Sequence, residues 1–126
     1  MSQPTIRAAA PVAGSQVLGF GDYRPGRVQF NDEIVDLIDS SDEWIQERSG
    51  IKSRRVAQEH ETVVFMAVEA SRAALEHAGL QASDIDQVIL ASVTYPSLTP
   101  AAAPLVATAL GCGHGPAYDV AAACAG

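Results

Sequence analysis

The residue in this sequence best suited to covalent chemistry is Cys124, in the stretch PAYDVAAACAG. A short β-like run from Pro116 to Val120 leads into alanines and a glycine too small to shield a thiol. If a helix opens at Cys124, its free N–H groups and positive dipole end favour the thiolate. Small neighbours would let a carbonyl carbon reach sulfur, and a backbone N–H at the turn could receive the developing oxyanion. The same pattern also suits a small cysteine buried in a tight turn, since free cysteines are among the most buried residues. Two ligands one residue apart, Cys112 and His114 in GCGHG, have no second pair to complete a zinc site, so no metal is expected. His77 falls in a last helical turn, where a cation suits the dipole, and His60 falls in a polar QEHE loop. Lys52, Arg54 and Arg55 in GIKSRR form a basic cluster that could meet phosphates or an acidic partner, or could be a solvated edge.

The elements that must position these groups alternate in type. SQVLGFGDY, Ser15 to Tyr23, reads as a strand closed by Asp22, Pro25 and Gly26. NDEIVDLID reads as a short helix capped by Asn31, with Ile34, Val35 and Ile38 turned inward. In SSDEWIQERSG, Ser40 and Glu43 make a capping box and Gly50 a stop. The longest helix follows, with Thr62 as cap, Val64, Val68, Ser71, Leu75 and Ala78 on one face, and Gly79 at its end. SDID is a turn, and QVILASV is a strand apolar enough to be buried on both faces. In TPAAAPLVATALG, Thr99 is the expected cap, Pro100 the first helical residue and Gly111 the stop, with Pro104 tolerated in the first turn. PAYDV is a last strand. Such alternation predicts an α/β layered fold.

The 126 residues are enough for one domain, with residues 1–14 as a flexible lead-in and 15–126 as the folded unit. A hydrophobic content of 48% argues against disorder. A net charge of -7 disfavours nucleic acid or an anionic membrane surface as the main partner. No apolar run is long enough to span a bilayer, and the N-terminus lacks the apolar core of a signal peptide. The two cysteines make no disulfide framework, so the cytoplasm is the default compartment.

DVAAACAG, SSDEWIQERSGIKSRR and TPAAAPLVATALG, in that order, resemble β-ketoacyl-acyl-carrier-protein synthase III of the thiolase fold, over about Gln16 to Gly126. The resemblance implies the N-terminal half of a layered αβαβα fold, incomplete in this chain. It implies a decarboxylating Claisen condensation that starts fatty-acid chains. Cys124 would accept the acyl group of an acyl-coenzyme A as a thioester, and malonyl-acyl-carrier protein would supply the attacking carbanion. No resident cofactor is implied, acyl-coenzyme A being a substrate. Trp44 matches the aromatic that stacks on adenine, Arg48 the arginine near the nucleotide, and Ser49 stands where a threonine is common. An indole face and a guanidinium suit a flat base and phosphate, although Trp44 could instead anchor its helix in a core and Arg48 be a solvated cation. Thr99 matches a residue in the acyl pocket of the partner subunit, where threonine leaves more room than an aromatic and implies tolerance of longer or branched primers. The strand before the nucleophile pairs with its twin across a two-fold axis in this family, implying a homodimer.

The histidine and asparagine that promote decarboxylation belong to the second half of the family's chain. None of His60, His77 and His114 matches them. The 126 residues alone are therefore expected to condense nothing, and the chain to be an N-terminal portion ending two residues after its nucleophile. Two other readings stay open: a thiolase-fold acyltransferase of secondary metabolism, and a non-catalytic fragment that associates with a full-length subunit.

Overall fold

The computed structural model describes residues 14–125, so the expected flexible lead-in lies outside the described residues except for Gly14, as does Gly126. Strands β1 (Arg27–Phe30) and β2 (Ser53–Val56) form an antiparallel hairpin in which Arg27 faces Val56 and Phe30 faces Ser53. Between them lie a 3-10 turn at Asn31–Glu33, the one-turn helix α1 (Val35–Ile38) and helix α2 (Asp42–Ser49). The long helix α3 (Val63–Ala78) follows, then β3 (Val88–Ala91), helix α4 (Ala102–Leu110) and β4 (Ala117–Val120). β3 and β4 are parallel, with Val88 beside Ala117 and Ala91 beside Val120. Two parallel strands need a crossover, and α4 supplies it.

The buried apolar residues are Ile45, Val68, Ala102, Ala103 and Val106. Three of them lie in α4, which contacts α3 as well as both β3 and β4. Alanine at two of those positions lets the helix approach its neighbours closely, so α4 is the pivot of the β3–α4–β4 unit. The sheet face bearing Ile89 is open: Ile89 is exposed, whereas the sequence pattern predicts burial of this strand on both faces. An all-apolar strand reports the layers it is built for, and the described residues supply a cover on one side only.

The segment expected as the first strand, Ser15 to Tyr23, forms no strand and no helix in the structure and joins neither sheet. It lies against α3 instead. A Cβ at Gly21 would stand 2.4 Å from the Ala70 carbonyl oxygen and from the Ala74 amide nitrogen, so only glycine permits that approach. The Phe20 N–H donates to Nδ1 of His77 at 3.2 Å, and the two rings meet edge to face at 4.7 Å. His77 is thus a tether for this segment, through its Nδ1 and its ring, in place of the helix-end role expected for it.

Helix ends are set by local chemistry. Thr62 caps α3 by accepting the Phe65 N–H, and Gly79 ends it at φ 68°. The cap of α2 is Ser41, one residue later than predicted, because its Oγ accepts the Trp44 N–H at 3.1 Å; Gly50 ends α2 as expected. Asn31 is no helix cap but a buried amide, and Ile38 is exposed rather than inward. Thr99 does not cap α4 either, and Pro100 precedes the helix. Ala101 is the cap residue, and the missing acceptor is Asp119 of β4, whose two carboxylate oxygens take the N–H groups of Ala102 and Ala103 at 2.8 and 2.7 Å. Asp119→Ala removes both acceptors and is expected to cost about 1–2 kcal/mol, seen as a lower urea midpoint with unchanged slope.

Glu61 holds the loop before β1. Its side chain is buried, 3% exposed, and accepts from the Tyr23 hydroxyl and from the N–H groups of Gly26 and Gln58. These bonds, the Tyr23 hydroxyl foremost, hold its carboxyl below the usual glutamate range, against burial, which pushes the other way. The Tyr23 phenol is raised, chiefly by the same bond. A depressed carboxyl stabilises the fold above its unfolded value of about 4.3 and loses that contribution as pH falls through the folded value. Glu61→Gln is therefore expected to lower the thermal midpoint by several degrees at pH 7, with the gap to the parent narrowing below about pH 4.

Candidate active site

β4 delivers Cys124 to the surface. After Val120 the chain runs through Ala121 and Ala122 to Ala123, which sits at φ 47°, and into a 3-10 turn at Ala123–Ala125. A left-handed backbone costs a residue with a Cβ about 1–2 kcal/mol, and here it makes the bend that turns Cys124 outward. The thiol is free and exposed. Among the described residues, then, Cys124 stands at the surface rather than buried in its turn.

Cys124 opens onto a cleft of about 520 Å³ lined by Ala91 at the end of β3 with Ser92, Val93 and Thr94 after it, and by Val120 at the end of β4 with Ala123 after it. The cleft lies at the carboxyl ends of two parallel strands, where open α/β sheets place their ligands. Ser92 N–H donates to the Val120 carbonyl at 3.2 Å, which carries the strand pairing up to the cleft wall. The Thr94 N–H in turn donates to the Ser92 hydroxyl at 3.3 Å. Alanine and valine give the walls their apolar character, and two hydroxyls give them polarity. None of His60, His77 and His114 lines the cleft.

Trp44 and Arg48 come together elsewhere. They lie one turn apart on α2, and the Arg48 guanidinium carbon stands 5.6 Å from the indole centroid, within cation–π range. Trp44 is 55% exposed, so it is not a core anchor; Ile45 beside it fills that role. The indole walls a separate hollow with Ile38, Asp39, Ser40 and Ser41, which shares no residue with the Cys124 cleft. Ser49 is spoken for locally: its hydroxyl donates to the Ile45 carbonyl at 2.6 Å and accepts the Ile51 N–H at 3.2 Å. Thr99 is exposed in the loop between β3 and α4. Its neighbours Leu98 and Ala101 line a third hollow that shares Ser92 and Val93 with the Cys124 cleft.

The basic cluster is mostly structural. Arg54 donates to the Asn31 amide oxygen at 2.8 Å, and Arg55 to the carbonyls of Pro25 and Gly26. Cys112 and His114 find no third ligand: among the described residues no group of three metal-binding side chains occurs. Among the described residues no helix is long and apolar enough to cross a membrane.

Sequence reasoning missed the long-range bonding of three polar residues: Asn31 to both ends of α2, Glu61 to the loop before β1, and Asp119 to the start of α4. A carboxylate in the apolar run AYDV was the one available signal, because a charge on a half-buried strand needs a partner.

No protein-family model matches the chain. It is 51% identical over 121 residues to the mycobacterial beta-ketoacyl-acyl-carrier-protein synthase III of Mycobacterium ulcerans, covering 96% of this chain and 36% of that protein. It is 48% identical over 126 residues to beta-ketoacyl-acyl-carrier-protein synthase III 1 of Streptomyces avermitilis, covering 35% of it. Among solved structures, the 3-oxoacyl-acyl-carrier-protein synthase III of Aquifex aeolicus superposes with a TM-score of 0.80 at 39% identity, over 86% of this chain and 35% of that one. The priming β-ketosynthase of the R1128 polyketide pathway superposes with a TM-score of 0.78 at 44% identity, over 85% and 32%. The chain thus spans about a third of the length of these relatives. In sequence and in its α/β thiolase-like fold it is similar to β-ketoacyl-acyl-carrier-protein synthase III over about a third of that protein's length.

Proposed function

We propose that these residues supply the acyl-accepting nucleophile of a β-ketoacyl-acyl-carrier-protein synthase III. The observation that carries this reading is Cys124, exposed at a strained bend beyond β4 and open to a cleft at the strand ends. The Cys124 thiolate attacks the carbonyl carbon of an acyl-coenzyme A. The tetrahedral adduct collapses with loss of coenzyme A as its thiolate, leaving an S-acyl cysteine. Sulfur suits both directions, as a strong nucleophile and a workable leaving group. Malonyl-acyl-carrier protein then loses carbon dioxide, and its α-carbon attacks the acyl carbonyl and expels the Cys124 thiolate. The histidine and asparagine of that second step are sought in the length of the relatives that this chain does not span.

In this reading Trp44 and Arg48 hold the nucleotide end of coenzyme A. Their exposure and their pairing over the indole face support it, with a flat base stacking on the ring and phosphate meeting the guanidinium. Ser49 acts by closing the end of α2, and Thr99 reaches the acyl pocket of a second subunit. β4 pairs with β3 on one edge only among the described residues, which leaves the other edge for a twin in a homodimer. The R1128 priming ketosynthase favours a second reading for the pathway: the same condensation priming a polyketide rather than a fatty acid.

The test is intact mass of a chain completed to the relatives' length after incubation with acetyl- or isobutyryl-coenzyme A. One acyl adduct on the peptide carrying Cys124 is expected. No adduct, or an adduct on Cys112, overturns the reading.

A further inference from the structure

We propose that Asn31 is the positioning residue of the Trp44–Arg48 face, acting through α2; this rests on the reading of that face as the coenzyme A site. Asn31 is 1% exposed. Its Nδ2 donates to Asp42 Oδ1 at 2.7 Å and to the Ile51 carbonyl at 2.8 Å, and its Oδ1 accepts from Arg54 at 2.8 Å. Both amide protons and one oxygen lone pair are used, so the side chain has one orientation.

The partners matter more than their number. Asp42 is the first residue of α2, Ile51 follows its Gly50 stop, and Arg54 lies in β2. One amide thus holds the start of the helix, the chain just past its end, and the hairpin that anchors it. Asp42 passes the link inward, its other oxygen accepting from Gln46 at 2.6 Å. Trp44 and Arg48 stand between the two held ends. A helix of eight residues is not stable alone, and this one buries a single side chain, Ile45. The orientation of its outer face is therefore set by the Asn31 clamp rather than by packing.

The nucleotide should feel this clamp and the thioester should not, since Cys124 and its cleft belong to the β3–α4–β4 unit. The experiment compares acylation of the completed chain by acetyl-coenzyme A and by S-acetyl-N-acetylcysteamine, which lacks the nucleotide. Asn31→Ala is expected to lower kcat/KM for acetyl-coenzyme A about tenfold or more, mostly through KM, and to change it less than about twofold for the truncated thioester. If Asn31→Ala does not fold, Asp42→Asn is used, which keeps every heavy-atom position and weakens the acceptor; the same split is expected at smaller amplitude. Equal losses with both thioesters, or no loss with either, overturn the positioning role. Trp44→Ala separates the two layers. If it leaves acetyl-coenzyme A kinetics unchanged, the coenzyme A reading of α2 falls and this inference with it. If it raises KM and the Asn31 and Asp42 variants do not, the positioning role alone falls.

Discussion

Cys124→Ala in the completed chain is expected to lower condensation by about 10³-fold or more. The size of the effect follows from what remains in the cleft. The other wall residues that carry heteroatoms on their side chains are Ser92 and Thr94, and an aliphatic alcohol is mostly un-ionised at neutral pH and a poor match for thioester exchange. Cys112 cannot substitute: it sits beyond α4, lining a crevice with Ser71, Leu75 and Ile85. Cys124→Ser keeps the shape and an attacking oxygen, so it is expected to fall between the parent and the alanine variant, with an oxygen ester that turns over slowly. Product formation from acyl-coenzyme A and malonyl-acyl-carrier protein is the measurement. More than a tenth of parent activity in Cys124→Ala would remove the nucleophile assignment. A loss of malonyl decarboxylation alone, with the acyl adduct still formed, would remove it equally.

The placement of Cys124 just past a strand was legible because its cause is local, whereas the pattern of small residues left open whether the thiol is exposed or buried, which packing from elsewhere decides. Thr62 and Gly79 were legible for the same reason, since a cap and a stop act within a few residues. The choice between Ser40 and Ser41 was not. Both are serines before an acidic turn, and the one that caps is the one whose Oγ reaches the Trp44 N–H. Ser40 instead has a buried hydroxyl with no partner among the described residues. Ser15 to Tyr23 failed for a different reason. Its apolar pattern states a preference for extended backbone, but a strand also needs a neighbour, and pairing is decided by the whole sheet. The polar residues Asn31, Glu61 and Asp119 each bond to groups distant in sequence, so no window of local pattern contains all of their partners.

Asp119 shows how stability and site are joined. Its backbone belongs to the strand that ends at Cys124, and its carboxylate fixes the start of α4. The loop from Ser92 to Ala101 is thereby bounded at both ends by β4: by the Ser92 N–H to Val120 bond and by the Asp119 cap. That loop walls the cleft and carries Thr99. The cleft wall and the strand that leads to Cys124 therefore share one support.

The same support has a point of no tolerance at Gly115. A Cβ there would lie 1.9 Å from the Asp86 carbonyl oxygen and 2.7 Å from its carbon. Both are backbone atoms, so no rotamer relieves the contact; one chain must move. Asp86 leads into β3 and Gly115 into β4, and the Val88 N–H to Pro116 carbonyl bond at 3.0 Å opens their pairing. Gly115→Ala is thus expected to force the two strands apart at their first bond and to destabilise the fold by about 3 kcal/mol, the upper end for overpacking. Because β4 carries Cys124, the acylation rate should fall as well, even at temperatures where the protein stays folded. Gly113→Ala is the control: nothing lies within 4 Å of its Cβ, so its midpoint in urea should match the parent. Should the Gly115 and Gly113 variants unfold at the same urea concentration, the close approach of these two loops is not what sets the β3–β4 register.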